Sequence, residues 1–141
     1  MDTFKYIRAM FKNKVIIITG STQGIGFKTA EMLLKRGARL VINSRSSEKV
    51  TNALNYLEKF NPNVIGLAGD VSKYEFCVAL KEFALKNFGR IDILINNAGV
   101  ASSGLLKESA PNALEKVVNI NLLGSIYPTL ACVNNICKHR G

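Results

Sequence analysis

The chain has 141 residues, enough for a single domain, and 48% of them are hydrophobic, which supports a packed core and excludes intrinsic disorder. Nineteen Lys and Arg against ten Asp and Glu give a net charge of +9, but these residues are scattered and form no nucleic-acid-binding motif. No apolar run reaches the length of a membrane span, no signal-peptide core is present, and Cys77, Cys132 and Cys137 form no C-x-x-C pair. We therefore expect a cytoplasmic protein with free thiols and with no metal site, nucleic-acid partner or membrane partner.

Apolar strand patterns and amphipathic helix patterns alternate along the chain. The predicted elements are strand 15–19, helix 25–36, strand 40–43, a helix from Ser46 or Ser47 to about 60, strand 64–67, helix 73–88, strand 91–96 and a helix that begins at Ser109 with Pro111. Gly37 and Gly89 stand where helices should end, and Pro128 predicts a kink between Gly124 and Pro128. This alternation predicts an α/β protein with a doubly wound parallel sheet, the Rossmann fold.

Residues 1–13 precede the alternating pattern and are expected to form a lead-in to a domain that covers residues 14–141. Phe4, Ile7 and Phe11 fall on one helical face, which allows a short amphipathic helix on a membrane surface. Such a short helix is unstable alone, so a floppy lead-in, or a cap over the end of the first strand, is favoured instead.

The segment after the first strand, Thr19–Gly26, reads TGSTQGIG. A buried strand, a glycine turn and a helix N-terminus together form a site for a dinucleotide pyrophosphate, because first-turn N–H groups lack partners and glycines allow phosphate to approach. Gly20 makes the turn and Gly24 starts the helix N-terminus, whereas Ser21 and Gln23 either bind phosphate or ribose or are polar turn residues. The predicted contacts in this loop are Gly20, Ser21, Gln23, Gly24, Ile25 and Gly26.

The end of the second strand indicates which dinucleotide is bound. A carboxylate there would bind a ribose 2′-hydroxyl, whereas arginine accommodates a 2′-phosphate. The chain has Ser44 at the expected acidic position, followed by Arg45. This pair favours NADP over NAD, with an exposed loop arginine as the alternative.

A second motif, N-N-A-G at 96–99, follows the fourth predicted strand. The ordered pair T-G-x-x-x-G-I-G and N-N-A-G resembles the short-chain dehydrogenase/reductase family, from Lys14 onward. The resemblance implies that Asp70 and Val71 contact adenine, although Asp70 could also cap the third helix. It also implies that Asn97, Ala98 and Gly99 pack beside the cofactor's ribose, and that Asn121 is the catalytic asparagine, whose backbone holds a water in a proton relay. The family's second common basic position, just before Gly24, holds Gln23 here.

The resemblance implies an NAD(P)-dependent oxidoreductase that acts on a small carbonyl or alcohol substrate and forms a homo-oligomer when full length. The family's catalytic serine and Y-x-x-x-K lie beyond its fourth helix, and no tyrosine here has a lysine four residues later. We therefore expect a sheet truncated after the fourth strand and helix, with a long apolar edge, and a chain that is inactive alone. The alternatives are a non-catalytic dinucleotide-binding module and, less consistent with the first loop's lack of an acidic cluster, a receiver-like signalling domain.

Overall fold

A computed structural model describes residues 9–102 and 104–139. Within that part of the chain the strands are β1 (Val15–Ile18), β2 (Arg39–Ser44), β3 (Val64–Ala68) and β4 (Ile93–Ile95). The α-helices are α1 (Gly24–Leu34), α2 (Ser47–Leu57), α3 (Tyr74–Phe88), α4 (Pro111–Val118) and α5 (Gly124–Lys138). A 3-10 turn, Leu106–Glu108, and a π-helical turn, Asn119–Leu123, precede α4 and α5 respectively.

The four strands form one parallel sheet in the order β3-β2-β1-β4. Ile16 of β1 is paired with Leu40 of β2 on one side and with Ile93 of β4 on the other. The strand order reverses between β1 and β4, and ligands of open α/β sheets bind at such a reversal, outside the carboxyl ends of the strands. The predicted doubly wound Rossmann fold is confirmed.

Helices cover both faces of the sheet, and the alternation of strand side chains divides the core in two. Ile16 and Ile18 point to the face that α1 and α2 cover, whereas Ile17 points to the face that α3 and α5 cover. All three are fully buried. Because both faces are packed, the strands are continuous apolar runs, as in other parallel sheets.

The structure corrects several predicted boundaries. The helix α2 ends at Leu57 rather than near residue 60, and α4 begins at Pro111, with Ala110 as its N-cap residue, rather than at Ser109. Strand β4 spans Ile93–Ile95 instead of the predicted 91–96, so it forms the expected apolar edge of the sheet, but a short one. Asp92 precedes it, and its carboxylate accepts the Val15 N–H at 2.9 Å.

The helical stretch Pro111–Lys138 contains the π-helical turn directly before Gly124, and Pro128 lies buried inside α5. In this turn the Gly124 N–H bonds the carbonyl of Asn119, five residues back, so the helix is irregular directly before the segment where Pro128 predicts a kink. By length and composition alone this 28-residue stretch could cross a membrane. The core helix of a soluble protein meets the same criterion, so this is weak evidence.

Of the predicted lead-in, residues 1–8, with Phe4 and Ile7, lie outside the described residues. Residues 9–11 are helical, and Phe11 packs, partly buried, against the core on the α1 and α2 side. The Asn13 N–H donates to the carbonyl of Gly37 at 2.8 Å. The described end of the lead-in thus lies against the domain.

Candidate cofactor site

The carboxyl ends of the strands border a cleft of about 340 Å³. Its walls come from the β1–α1 loop, the ends of β2 and β3 and the segment after β4. The residues that line it are Gly20, Thr22, Gln23, Gly24, Ile25, Asn43, Ser44, Arg45, Lys49, Gly69, Asp70, Val71, Asn97, Ala98, Gly99, Val100 and Ile120. Every cofactor-binding residue predicted from the sequence is among them except Ser21 and Gly26.

The N-terminus of α1 opens into this cleft without a side-chain cap. Gln23 is the N-cap residue in extended backbone, but its side chain makes no capping hydrogen bond, and the first turn has no acidic residue. In contrast, α2 is capped by the Ser46 hydroxyl, which accepts the Lys49 N–H at 3.3 Å. The first turn of α1 therefore offers unsatisfied N–H donors and the positive end of the helix dipole, which together suit an anion.

Gly24 leaves room for such an anion. Its φ is +60°, and a Cβ placed there would have no heavy atom within 4 Å. This conformation disfavours any residue with a side chain, and the open space lies at the wall of the cleft. The geometry therefore fits the close approach of a phosphate to the backbone.

Gly20 and Gly26 serve packing instead. A Cβ at Gly20 would lie 2.7 Å from the Ala98 Cα, and a Cβ at Gly26 would lie 2.3 Å from the Asn97 Nδ2. The Asn97 Nδ2 donates to the carbonyls of Thr19 and Gly20, at 3.1 and 2.9 Å. These contacts hold the glycine loop against the N-N-A-G segment, so both motifs build one wall.

Ser21 lies beneath the loop rather than in the cleft. It is fully buried, and its hydroxyl donates to the Ile18 carbonyl at 2.6 Å and accepts from the Asn43 N–H at 3.1 Å. The structure thus fits the turn-forming interpretation of Ser21 and not the predicted contact with phosphate or ribose.

Asn43 and Thr19 join the ends of neighbouring strands through hydrogen bonds, and neither was predicted from the sequence. The Asn43 Nδ2 donates to the carbonyls of Leu67 and Gly69, which ties the end of β2 to the end of β3. The Thr19 hydroxyl accepts from the backbone N–H groups of Asn97 and Ala98. Both are polar residues at the end of an apolar run, a pattern that could have marked them.

The end of β2 brings together Ser44, Arg45, Lys49 and Gln23. Arg45 is exposed and lines the cleft, and the Ser44 hydroxyl accepts the Ser46 N–H at 3.4 Å. The Lys49 Nζ, on α2, donates to the Gln23 Oε1 at 3.1 Å. Lys49 was not predicted as a site residue, because its contact with Gln23 joins two loop–helix junctions that are distant in sequence.

Asp70 closes the cleft beyond β3. Its Oδ1 accepts from the backbone N–H and the hydroxyl of Ser72, at 2.9 and 2.8 Å. The alternative that Asp70 caps α3 is wrong, because the N-cap residue is Lys73 and makes no side-chain bond. In the described structure the Asp70 Oδ2 has no protein donor, so one carboxylate oxygen is free to accept from a ligand.

Val71 and Gly124 set the distance between the cleft and α5. Val71 lines the cleft although it is nearly fully buried, and a Cβ at Gly124 would lie 2.9 Å from its Cγ2. The glycine therefore allows α5 to pack against Val71.

Asn121 lies on the π-helical turn, and its side-chain amide pairs with the backbone of Val100 on both sides. Its Oδ1 accepts the Val100 N–H at 2.8 Å, and its Nδ2 donates to the Val100 carbonyl at 2.9 Å. The backbone carbonyl of Asn121 accepts the Ser125 hydroxyl at 2.9 Å. The side chain thus fixes the loop after N-N-A-G, so a contact of Asn121 with a ligand or water would be made by its backbone.

Cys77, Cys132 and Asp92 are buried titratable groups that do not line the cleft. Burial raises the pKa of Cys77 to about 12 and that of Cys132 to about 11, so both thiols are protonated at neutral pH and poor nucleophiles. Burial also raises the pKa of Asp92, but hydrogen bonds from Arg90 and the Val15 N–H outweigh it and hold that pKa below its usual value. Within residues 9–102 and 104–139, no cluster of three His, Cys, Asp or Glu is placed to hold a metal ion.

The chain matches known proteins over almost all of its length. The family model for the short chain dehydrogenases matches residues 14–141. Dehydrogenase/reductase SDR family member 4 of Caenorhabditis elegans is 35% identical over 133 residues, which cover 93% of this chain and 51% of that protein.

Two solved structures show the same fold. A short chain dehydrogenase/reductase from Burkholderia phymatum in complex with NAD is 30% identical, with a TM-score of 0.88 over 93% of this chain and 47% of its own. L-sorbose reductase from Gluconobacter frateurii, complexed with NADPH and L-sorbose, is 32% identical, with a TM-score of 0.86 over 92% and 49%. The chain thus spans about half the length of the proteins that it matches.

Proposed function

The chain belongs to the short-chain dehydrogenase family, and we propose that it forms the dinucleotide-binding region of an oxidoreductase that prefers NADP. The enzyme would transfer hydride between the nicotinamide and the carbonyl or alcohol carbon of a small-molecule substrate. The observation that carries the proposal is the uncapped N-terminus of α1, open at Gly24, at the reversal point of the sheet.

The cleft's own residues fit a dinucleotide along its whole length. The first turn of α1, at Gly24 and Ile25, would hold the pyrophosphate through backbone N–H groups. The free Asp70 carboxylate oxygen would accept from the adenine amino group, with Val71 beside the base. Asn97, Ala98 and Gly99 would lie beside the ribose of the nicotinamide half. When bound, the nicotinamide supplies or accepts the hydride.

The preference for NADP rests on Ser44 and Arg45. Neither residue carries a negative charge that would repel a 2′-phosphate, and a guanidinium binds phosphate through paired, charge-assisted hydrogen bonds. NAD remains the alternative, and similar proteins in complex with each dinucleotide are known.

The chemical step needs groups beyond those of the cleft. We propose that the backbone of Asn121 holds a water of the proton relay. The catalytic serine and the Y-x-x-x-K pair would belong to a part of the polypeptide beyond Gly141, so that residues 1–141 alone bind dinucleotide without turnover. Tyr74 and Tyr127 are not candidates for the proton donor, because neither lines the cleft and neither has a lysine four residues later.

We also propose that the full polypeptide is a homo-oligomer in the cytoplasm. An exposed apolar stripe runs along one side of the helices, and patches of this kind mark association surfaces. Its members are Val118, Leu122, Ile126, Leu130 and Val133.

The three cysteines are free, and Cys137 is exposed, which suits a reducing compartment.

Enzyme assays on the native protein test the proposal. Its intact mass from source cells should exceed 15.4 kDa, the mass of this chain. With a panel of aldehydes and ketones the protein should oxidise NADPH. The reaction is monitored as the loss of the absorbance of reduced nicotinamide. Binding of NADPH without turnover in a protein of 15.4 kDa would instead favour the non-catalytic module.

A further inference from the structure

Lys49 lies where the second strand's end faces the phosphate loop. It occupies the first turn of α2, and its side chain crosses to the β1–α1 loop, where the Nζ donates to the Gln23 Oε1 at 3.1 Å. Lys49, Gln23, Ser44 and Arg45 all line the same cleft. Two cationic side chains therefore border one end of it, from a loop and from a helix.

Among the described residues, no carboxylate neutralises either cation. In the described part of the chain, Arg45 and Lys49 form no ion pair with a carboxylate, whereas Lys28 and Lys35 pair with Glu31. The partner of Lys49 is a neutral amide, which uses one of three ammonium donors. Asp70 is the only acidic residue that lines the cleft in the described structure.

Gln23, the residue before Gly24, is neutral, but it positions the charge of Lys49. Gln23 brings no charge of its own, but its side-chain oxygen holds an ammonium from the neighbouring helix. The two residues together place a positive charge at this end of the cleft. A lysine suits that role, because its ammonium is a compact charge on a flexible stem.

From this geometry we propose that Lys49, positioned by Gln23, is the second cation of a subsite for the ribose 2′-phosphate and sets the preference for NADP together with Arg45. A 2′-phosphate gains from both cations, whereas a neutral 2′-hydroxyl gains from neither. The inference rests on the proposed function, because it names how that cleft selects its dinucleotide.

Lys49→Gln tests the proposal, with dissociation constants for NADPH and NADH measured by titration calorimetry on the full polypeptide. We expect the variant to weaken NADPH binding about tenfold and NADH binding less than about twofold. Only NADPH carries the 2′-phosphate, so only NADPH loses a charge-assisted contact. Lys49→Arg should keep most of the preference. Lys86→Gln, which removes the same charge from an exposed position on α3, is the control and should change neither constant.

Salt dependence and a double variant separate a charge effect from a structural one. NADPH affinity should fall more steeply with ionic strength in the wild type than in Lys49→Gln. Salt screens the attraction between the Lys49 ammonium and the phosphate, which the variant lacks. Gln23→Ala should weaken NADPH in the wild type and have little further effect in Lys49→Gln, since Gln23 acts through Lys49.

The outcomes distinguish this inference from the proposed function. Two outcomes would overturn the role of Lys49 but leave the proposed function intact. In the first, Lys49→Gln weakens the binding of both dinucleotides equally. In the second, Lys49→Gln leaves NADPH binding unchanged whereas Arg45→Gln weakens it. A folded wild type that binds neither dinucleotide overturns the proposed function and this inference with it.

Discussion

Replacing Gly24 with valine should abolish dinucleotide binding without unfolding the domain. Apart from its chain neighbours and the backbone of its own helix turn, no described atom lies within 4 Å of a Cβ at this position, so the added side chain enters the space that a phosphate needs. The φ of +60° adds backbone strain of about 2 kcal/mol in a non-glycine residue. Losing two charge-assisted hydrogen bonds from backbone N–H groups would cost about 3 kcal/mol or more, which is at least about a hundredfold in affinity.

Gly89 provides the matched control. It has a φ of +75° and likewise no atom within 4 Å of a Cβ, but it ends α3 and does not line the cleft. Gly89→Val should therefore lower the free energy of unfolding about as much as Gly24→Val, by roughly 2 kcal/mol, and keep NADPH affinity. Thermal unfolding and NADPH titration of both variants give the comparison. Equal loss of binding in the two, or retained binding in Gly24→Val, would refute the phosphate-loop assignment.

Three further changes probe other parts of the account. Arg45→Asp should reverse the preference from NADPH toward NADH, because a carboxylate repels a 2′-phosphate and accepts from a 2′-hydroxyl; an unchanged ratio of dissociation constants would remove Arg45 from that role. Asp92→Asn should lower the free energy of unfolding at pH 7 by about 2 kcal/mol, since it leaves the charges of Arg90 and Lys14 without their counter-ion. The pKa of Asp92 is lower in the folded chain than in the unfolded one, so this stabilisation is present above about pH 4 and is lost as the pH falls through the folded-state value. Urea unfolding should accordingly show a shallower loss of stability on acidification for Asp92→Asn, and identical slopes would contradict the assignment. Gly26→Ala should destabilise the domain by about 2 kcal/mol, because a Cβ there lies 2.3 Å from the Asn97 Nδ2; a melting temperature equal to that of the wild type would show that the loop relaxes.

The sequence predicts the fold well where a local pattern determines the structure. Val15–Ile18 is a continuous apolar run, and it forms a strand buried on both faces. The glycine loop, the Ser46 cap and the Gly89 helix end depend on neighbouring residues, and each is found as expected. Local patterns also placed most of the cleft, because its residues follow the ends of parallel strands.

The remaining features depend on contacts between distant segments. Ser21 is polar and lies in the glycine loop, but the fold buries it, and its hydroxyl accepts the Asn43 N–H of β2. Lys49 resembles any exposed helix lysine until the fold brings Gln23 beside it. The π-helical turn before Gly124 was not predicted, because the bond between the Gly124 N–H and the Asn119 carbonyl leaves no signal in sequence spacing.

The central claim is that this cleft binds NADP through the N-terminus of α1 and the cations after β2. Its most direct test is a calorimetric titration of the full polypeptide with NADPH and, separately, with NADH. The account predicts one NADPH per chain, bound at least about tenfold more tightly than NADH, as expected when a charged phosphate meets unpaired cations. A folded protein that binds neither, or that binds NADH more tightly, would contradict it.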